Sequence, residues 1–263
     1  MKPIKLTIKS IGVLTYGIDN YEQAIKFLKN NNNFADLKNQ DIDLKPIENL
    51  PRNERRRTNN HIKIAVNVAL QHQDIQDTQI IFASCDGDTN ISHKLCQAVS
   101  SSDKFISPAD FHNSVHNAPS GYCSIAIKSH LPINSISTDY NNMFTTTLME
   151  AAIKVKLYQK PILIVLFDDN IHPQITTSRK RTLGAISFLM DSNNSQNKDN
   201  KNICQIEINK TPKNKDNRVK NENIPFWHNP AHQAWQFLQQ INNKNQIQNY
   251  QYLKNSDLQI KLL

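Results

Sequence analysis

No stretch of this sequence stays apolar for the roughly twenty residues that a membrane-crossing helix needs. The opening run MKPIKLTIKSIGVLTYG also lacks the apolar centre of a secretory signal peptide. Cysteine is scarce: Cys85, Cys96, Cys123 and Cys204 are the whole complement, and none stands in CxxC or metal-ligand spacing. These absences argue against a disulfide framework or a zinc knuckle and point to a reducing cytoplasm with free thiols. Apolar residues make up only 38% of the chain. Asn, Lys and Gln take their place and crowd into loops and tails, which reads as one folded core with polar decoration rather than a disordered chain.

At 263 residues there is room for one sizeable α/β domain and an appendage. No internal repeat is present. The net charge of +8 suits an acidic partner: nucleic acid, an anionic membrane or an acidic carrier protein. The bases are spread along the chain without aromatic interleaving, which argues against nucleic acid.

Residues 4–16 read as a first strand, 20–29 as a short helix and 30–50 as polar and irregular. In 54–71, Ile62, Ala65, Val66, Ala69 and Leu70 form an amphipathic stripe. That helix would begin with Arg55, Arg56 and Arg57, where like charge opposes the helix dipole. A solvated face and an external use explain these arginines equally well. Residues 78–85 (TQIIFASC) read as a buried strand, 90–101 as a helix, 107–130 as mixed helix and 133–139 as a strand. The charge-poor helix 142–157 is expected to be buried on most sides. PILIVLF (161–167) and LGAISFLM (183–190) complete the strands. Alternation of strand and helix implies parallel strands with right-handed crossovers. Residues 191–223 read as a polar insertion with a weak strand at 203–208, 225–242 as a last amphipathic helix carrying Trp227 and Trp235, and the tail after 243 as frayed.

The stretch SPADFHNSVHNAPSGYCSIA (107–126) resembles the ketosynthase branch of the thiolase fold, with Ser107-Pro108, Asn117 and Gly121 at that family's spacing. Leu50-Pro51 through Arg55-Arg56-Arg57, the run INSISTDYNNMFTTTLMEAA (133–152) and PILIVLFDD (161–169) extend the likeness over roughly residues 50–190. The subgroup it resembles is β-ketoacyl synthase N-terminal-like, or chain-length-factor-like, of aryl-polyene and related lipid clusters. The resemblance implies an α/β fold. The expected form is the N-terminal half of a thiolase-like fold, a mixed, mostly parallel five-stranded sheet flanked by helices, plus a C-terminal helix. The expected division is a 1–190 half-domain, a 191–223 insertion and a 224–263 C-terminal helix and tail packing on the core.

The same resemblance places a nucleophilic Cys at the start of the buried helix, where the dipole and backbone N–H groups lower its pKa and hold the oxyanion. That place falls on Tyr140 or Asn141, and 124–203 contains no Cys. The family takes its His and Asn catalytic groups from a second half, whereas residues after 190 show a polar insertion and one helix. The implied function is a catalytically inactive partner that forms a heterodimer with a full-length ketosynthase and helps shape its acyl tunnel in fatty-acid-like or aryl-polyene synthesis. The resemblance puts Asp110, Phe111, His112, Val115, His116, Asn117 and Tyr122 at the partner interface, with Val115 and Phe111 as wall candidates. Arg52, Arg55, Arg56 and Arg57 are candidate contacts to the partner or an acyl carrier protein. No cofactor is implied.

Two rival readings stand beside this one. A thioester-dependent acyltransferase or hydrolase would use Cys123 or Cys85, although Cys123 lies mid-helix and Asp86 and Asp88 oppose a thiolate at Cys85. A basic binding module would use the net charge on nucleic acid or lipid. His112 and His116, four residues apart, would share a helical face, but only Asp110 is at hand to complete a metal site. Asp86, Asp88, Asp168 and Asp169 end strands where α/β proteins bind ligands. Helix capping is the plainer role for them.

Overall fold

In the computed structural model, which describes residues 2–30, 37, 42, 44–175, 182–192, 202–213 and 229–263, the run PILIVLF becomes β4 (Ile162–Asp168), buried along its whole length. Its alternation feeds two cores. Ile162, Ile164 and Leu166 enter one hydrophobic cluster and Leu163, Val165 and Phe167 the other, as the two-residue period of a strand requires. Beside it lie β2 (Gln79–Ala83) and β3 (Ile133–Ile136) on one side. On the other come β5 (Gly184–Ser192), β1 (Ile4–Thr15), β6 (Cys204–Pro212), β8 (Ser256–Leu262) and β7 (Ile247–Leu253). The sheet order is β3-β2-β4-β5-β1-β6-β8-β7.

The mixed sheet between helices matches the expected thiolase-like class, but two details differ. It has eight strands, not five. Five of its seven ladders are antiparallel; only β2–β3 and β2–β4 are parallel. Those two parallel ladders join strands separated by helices. β5 follows β4 with no described helix between and runs back beside it, as a connection without a crossover favours.

One face of the sheet carries α1 (Tyr21–Lys29), α7 (Met143–Tyr158) and α8 (Ala231–Asn242), and the other α3 (Asn60–Ala69) and α6 (Ala118–Ile127). The helix expected over 54–71 is two helices. α2 (Arg52–Arg57) stops at Thr58, whose ψ of 137° is extended. Asn59 then caps α3, its side chain accepting from Ile62 N at 3.0 Å, the usual device for starting a helix. α4 (Thr89–Ser100) and α5 (Pro108–Asn113) lie at the margin, with few buried side chains.

The tail expected to fray is instead the β7–β8 hairpin. Tyr250, Leu258 and Ile260 enter the same core as Trp235 and Phe237 of α8. Gln240 ties helix to hairpin, donating to Ile260 O at 3.0 Å and accepting from Tyr250 Oη at 2.9 Å. Trp227 lies outside the described residues, and Trp235 is fully buried.

Candidate functional site

Ser107 starts α5, its hydroxyl accepting from Asp110 N at 3.3 Å, with Pro108 in the first turn. Both choices suit a helix start. α5 ends after one and a half turns, and the chain re-enters a helix only at Ala118. The break turns the two short helices into the walls of an open groove of about 420 Å³. Phe111, His112, Val115, Asn117 and Tyr122 line it together with Glu54, Ala118, Gly121 and Ile125. Phe111, Val115 and Ile125 are 64%, 52% and 44% exposed. Three large apolar side chains left open around one depression form a patch that favours contact with another apolar surface.

The buried side holds the groove in shape. Tyr122 Oη donates to Asn113 Oδ1 at 3.0 Å, and Asn113 Nδ2 donates to the Arg57 carbonyl at 2.8 Å. Burial pushes the Tyr122 phenol up, and the Glu54 charge adds to the effect, so the hydroxyl stays a neutral donor. This chain of bonds joins α6, α5 and α2, and sets the basic helix at the groove's rim. There Arg55 pairs with Glu48 and Arg57 with Glu54, while Arg52 and Arg56 are exposed. Arg55, Arg56 and Arg57 occupy the last turn of α2, not the first turn of a long helix. The macrodipole therefore favours them, and a supposed conflict with it gives no reason to seek an external role.

Asp110 and His116 stand apart from the groove. Asp110 occupies the first turn of α5. His116 turns inward, its Nε2 at 3.0 Å from the Ser84 carbonyl at the end of β2. Because α5 stops at Asn113, His112 and His116 share no helical face, and no metal-holding group of three His, Cys, Asp or Glu forms among the described residues.

A second region lies at the carboxyl ends of the parallel strands, the usual place for ligands in such sheets. The fully buried Asp168 accepts from Ser84 Oγ at 2.6 Å and from Cys85 N at 3.0 Å. Its charge opposes a thiolate at Cys85. Asp88 caps α4, accepting from Ile91 N at 2.9 Å, and takes a second bond from Asn59 at 2.7 Å. Cys123 is buried inside α6, and desolvation pushes its thiol up to about 12. Neither cysteine has the electropositive, open setting of a nucleophile.

From β3 the chain passes through Asp139 into a 3-10 turn, Tyr140–Asn142, and straight into α7 at Met143. Tyr140 is half-buried and Asn141 exposed. This chain's own C-terminal elements close on the turn. Gln233 of α8 donates to the Asn141 carbonyl, and Thr145 Oγ1 donates to Gln251 O of β7 at 2.7 Å. Sequence reasoning missed these partners because both are far away along the chain. It also missed Gly121, Ile125 and Glu54 as groove residues, although the i, i+4 spacing of Gly121 and Ile125 already places them on one face of α6.

No helix among the described residues is long and apolar enough to cross a membrane. A family model, β-ketoacyl synthase, N-terminal domain, matches residues 29–251. Three solved structures share the fold. A ketosynthase (ApeO) in complex with its chain length factor (ApeC) from Xenorhabdus doucetiae matches at 20% identity and a TM-score of 0.70, over 98% of this chain and 99% of the matched chain. A type II polyketide acyl-carrier protein in complex with its hexaketide-bound ketosynthase (AntDE:AntF) matches at 10% identity and 0.72, again over 98% and 99%. The ishigamide ketosynthase/chain length factor matches at 11% identity and 0.61, over 81% and 69%. No curated protein matches the chain.

Proposed function

The chain belongs to the β-ketoacyl synthase N-terminal domain family, and on that premise we propose that it is a non-catalytic, chain-length-factor-like partner of an active ketosynthase. The observation that carries this reading is the turn at the head of α7. A condensing thiol would need that helix N-terminus; Tyr140 and Asn141 stand in the 3-10 turn that leads into it, Asn142 is its N-cap and Met143 its first residue, and none of them is a cysteine. A phenol or an amide cannot form the thioester. The exposed apolar groove between α5 and α6 supplies the other half of the reading, because an inert partner needs a surface to dock with. A ketosynthase in complex with its chain length factor and a ketosynthase/chain length factor are among the structures that share this fold, which supports the reading.

In this reading the α5–α6 face, through Phe111, His112, Val115, Asn117 and Tyr122, meets the partner synthase, and Phe111 and Val115 help wall its acyl tunnel. Selection by length is steric, each methylene that fails to fit costing about 1–3 kcal/mol. Arg52 and Arg56, with Arg55 and Arg57 behind them, suit an acidic carrier protein delivering substrate at the rim. The working unit is then the 1–190 half-fold completed by 224–263 and by β6, which joins β1 to β8 within the sheet and so replaces the expected 191–223 insertion there. The setting is a cytoplasmic fatty-acid-like or aryl-polyene pathway.

The test is co-purification with the ketosynthases of the same cell, followed by product lengths with and without this chain. We expect a stable pair and a changed length distribution. Transfer of an acyl group from a carrier thioester onto this polypeptide alone would overturn the proposal.

A further inference from the structure

Glycine is rare here, with 5 in 263 residues, and several have a reason inside the chain. A Cβ at Gly12 would strike Ser187 Oγ and the Val68 carbonyl. Gly17 and Gly87 have φ of 65°, which side chains avoid. Gly121 has neither excuse. It sits within α6 at an ordinary helical φ, is exposed, and a Cβ there would meet no atom of the described residues within 4 Å. Glycine is the poorest helix former after proline. A residue that weakens its own helix and relieves nothing among the described residues is accounted for by something outside that comes closer than a Cβ permits.

The surroundings identify that visitor. Gly121 lies on the groove floor among Phe111, Val115, Ala118 and Ile125, with Glu54 at the rim, the apolar centre and polar margin of a protein interface. α6 also packs over β3, the edge strand of the sheet, with Ser135 Oγ 3.4 Å from Ser120 Oγ. An open sheet edge beside an apolar groove offers backbone hydrogen bonds as well as side-chain contact, and a polypeptide uses both. Resting on the partner reading above, we infer that Gly121 is the point where the backbone of the partner ketosynthase makes its closest approach to this chain.

The experiment measures affinity for the partner synthase, and the thermal midpoint of the isolated chain, for wild type, Gly121→Ala, Gly121→Leu and the remote surface control Gln97→Leu. Where the isolated chain is too short-lived to purify, its abundance in cells lacking the partner replaces the midpoint. Gly121→Ala should hold or raise the stability of the free chain while weakening the complex by roughly tenfold. Gly121→Leu should abolish the complex, and the control should leave it intact. A Gly121→Leu chain that binds as tightly as wild type overturns the inference. It is also overturned if that variant binds normally and shortens the product, because the acyl chain then fills the space. A fall in free-chain stability with Gly121→Ala overturns it too, by giving the glycine a reason within its own fold. If wild type itself forms no complex, the partner reading fails, and that result is distinct from each of these.

Discussion

His72 offers a prediction that reads out the folded core directly. Its ring is buried against the paired strands β1 and β5, with Nδ1 at 2.5 Å from Ser10 Oγ and Nε2 at 2.7 Å from Ser187 Oγ. Ser187 donates its own proton to the Val68 carbonyl at 3.1 Å. Its oxygen is then free to accept, so the hydrogen sits on Nε2 and the Nδ1 lone pair accepts from Ser10. A protonated ring would direct a second N–H at the Ser10 hydroxyl and carry an uncompensated charge in the core. Burial accordingly lowers the His72 pKa from 6.5 to about 4. Between those values the unfolded chain binds a proton that the folded chain does not. Stability therefore falls as pH drops through that window and is fully present only above pH 6.5. The gap between 6.5 and about 4, at about 1.4 kcal/mol per pH unit, amounts to about 3 kcal/mol by pH 4. Urea unfolding of wild type and His72→Gln at several pH values from 7.5 to 4 isolates the effect, because other titrating groups are common to both. The variant should lose about 1–2 kcal/mol at pH 7.5 from the broken bond to Ser10. The difference between the two proteins should then shrink, vanish between about pH 6 and pH 5, and reverse by pH 4, because the loss of about 3 kcal/mol in wild type exceeds the initial gap. Parallel pH profiles for wild type and variant would refute the reasoning.

Three further outcomes follow from the same structure. Tyr122→Phe leaves Asn113 Oδ1 without its 3.0 Å bond and should cost about 1–2 kcal/mol in chemical denaturation, with a matching loss of partner affinity as the groove loosens. Iodoacetamide at pH 8 should label the exposed Cys96 first and leave Cys123 and Cys204 untouched in the folded chain, since burial pushes both thiols up to about 12. Peptide mass spectrometry checks the order, and early modification of Cys123 would contradict it. Gly12→Ala should destabilise the chain by about 1–3 kcal/mol, because the new methyl group must displace Ser187 or the α3 backbone; calorimetry reads the loss.

The strands were legible wherever burial on both faces forced an unbroken apolar run, as in PILIVLF and IIFA. Their directions were not, because direction depends on what lies between two strands rather than on the strands themselves. The β7–β8 hairpin was hidden by composition: Gln, Asn and Lys dominate the tail. Even so, Leu258, Ile260 and Leu262 alternate with Gln259 and Lys261, which is the two-residue period of a half-buried strand. Asn59 marked the break between α2 and α3 openly, as a capping residue before an apolar stripe. The groove was half legible. The resemblance brought out Phe111, Val115 and Tyr122, but a helix boundary error put His112 and His116 on one face, although Pro119 already signalled a new helix start nearby. That Gly121 stands open could not be read from sequence, since it depends on what is missing around it in space.

The two ends of the proposed role are linked by one physical trade. A working nucleophile requires the head of its helix to stay open to substrate, with backbone donors and dipole kept free for the developing charge. Here Gln233 and the Thr145–Gln251 bond bring α8 and β7 down onto that head, and the same C-terminal elements bury Trp235, Phe237 and Tyr250 against α7 and the sheet. Once no substrate has to enter, closing the helix head costs no activity and adds apolar burial at about 25 cal/mol per Å². That closure completes one face of the half-fold from within the chain. It leaves the other face, around α5, α6 and the β3 edge, with exposed Phe111, Val115 and Ile125 and no cover among the described residues. A chain that used this helix head for catalysis would need it open to substrate. A helix head contacted by α8 and β7, beside an exposed α5–α6 face, is therefore the arrangement that suits the proposed docking subunit.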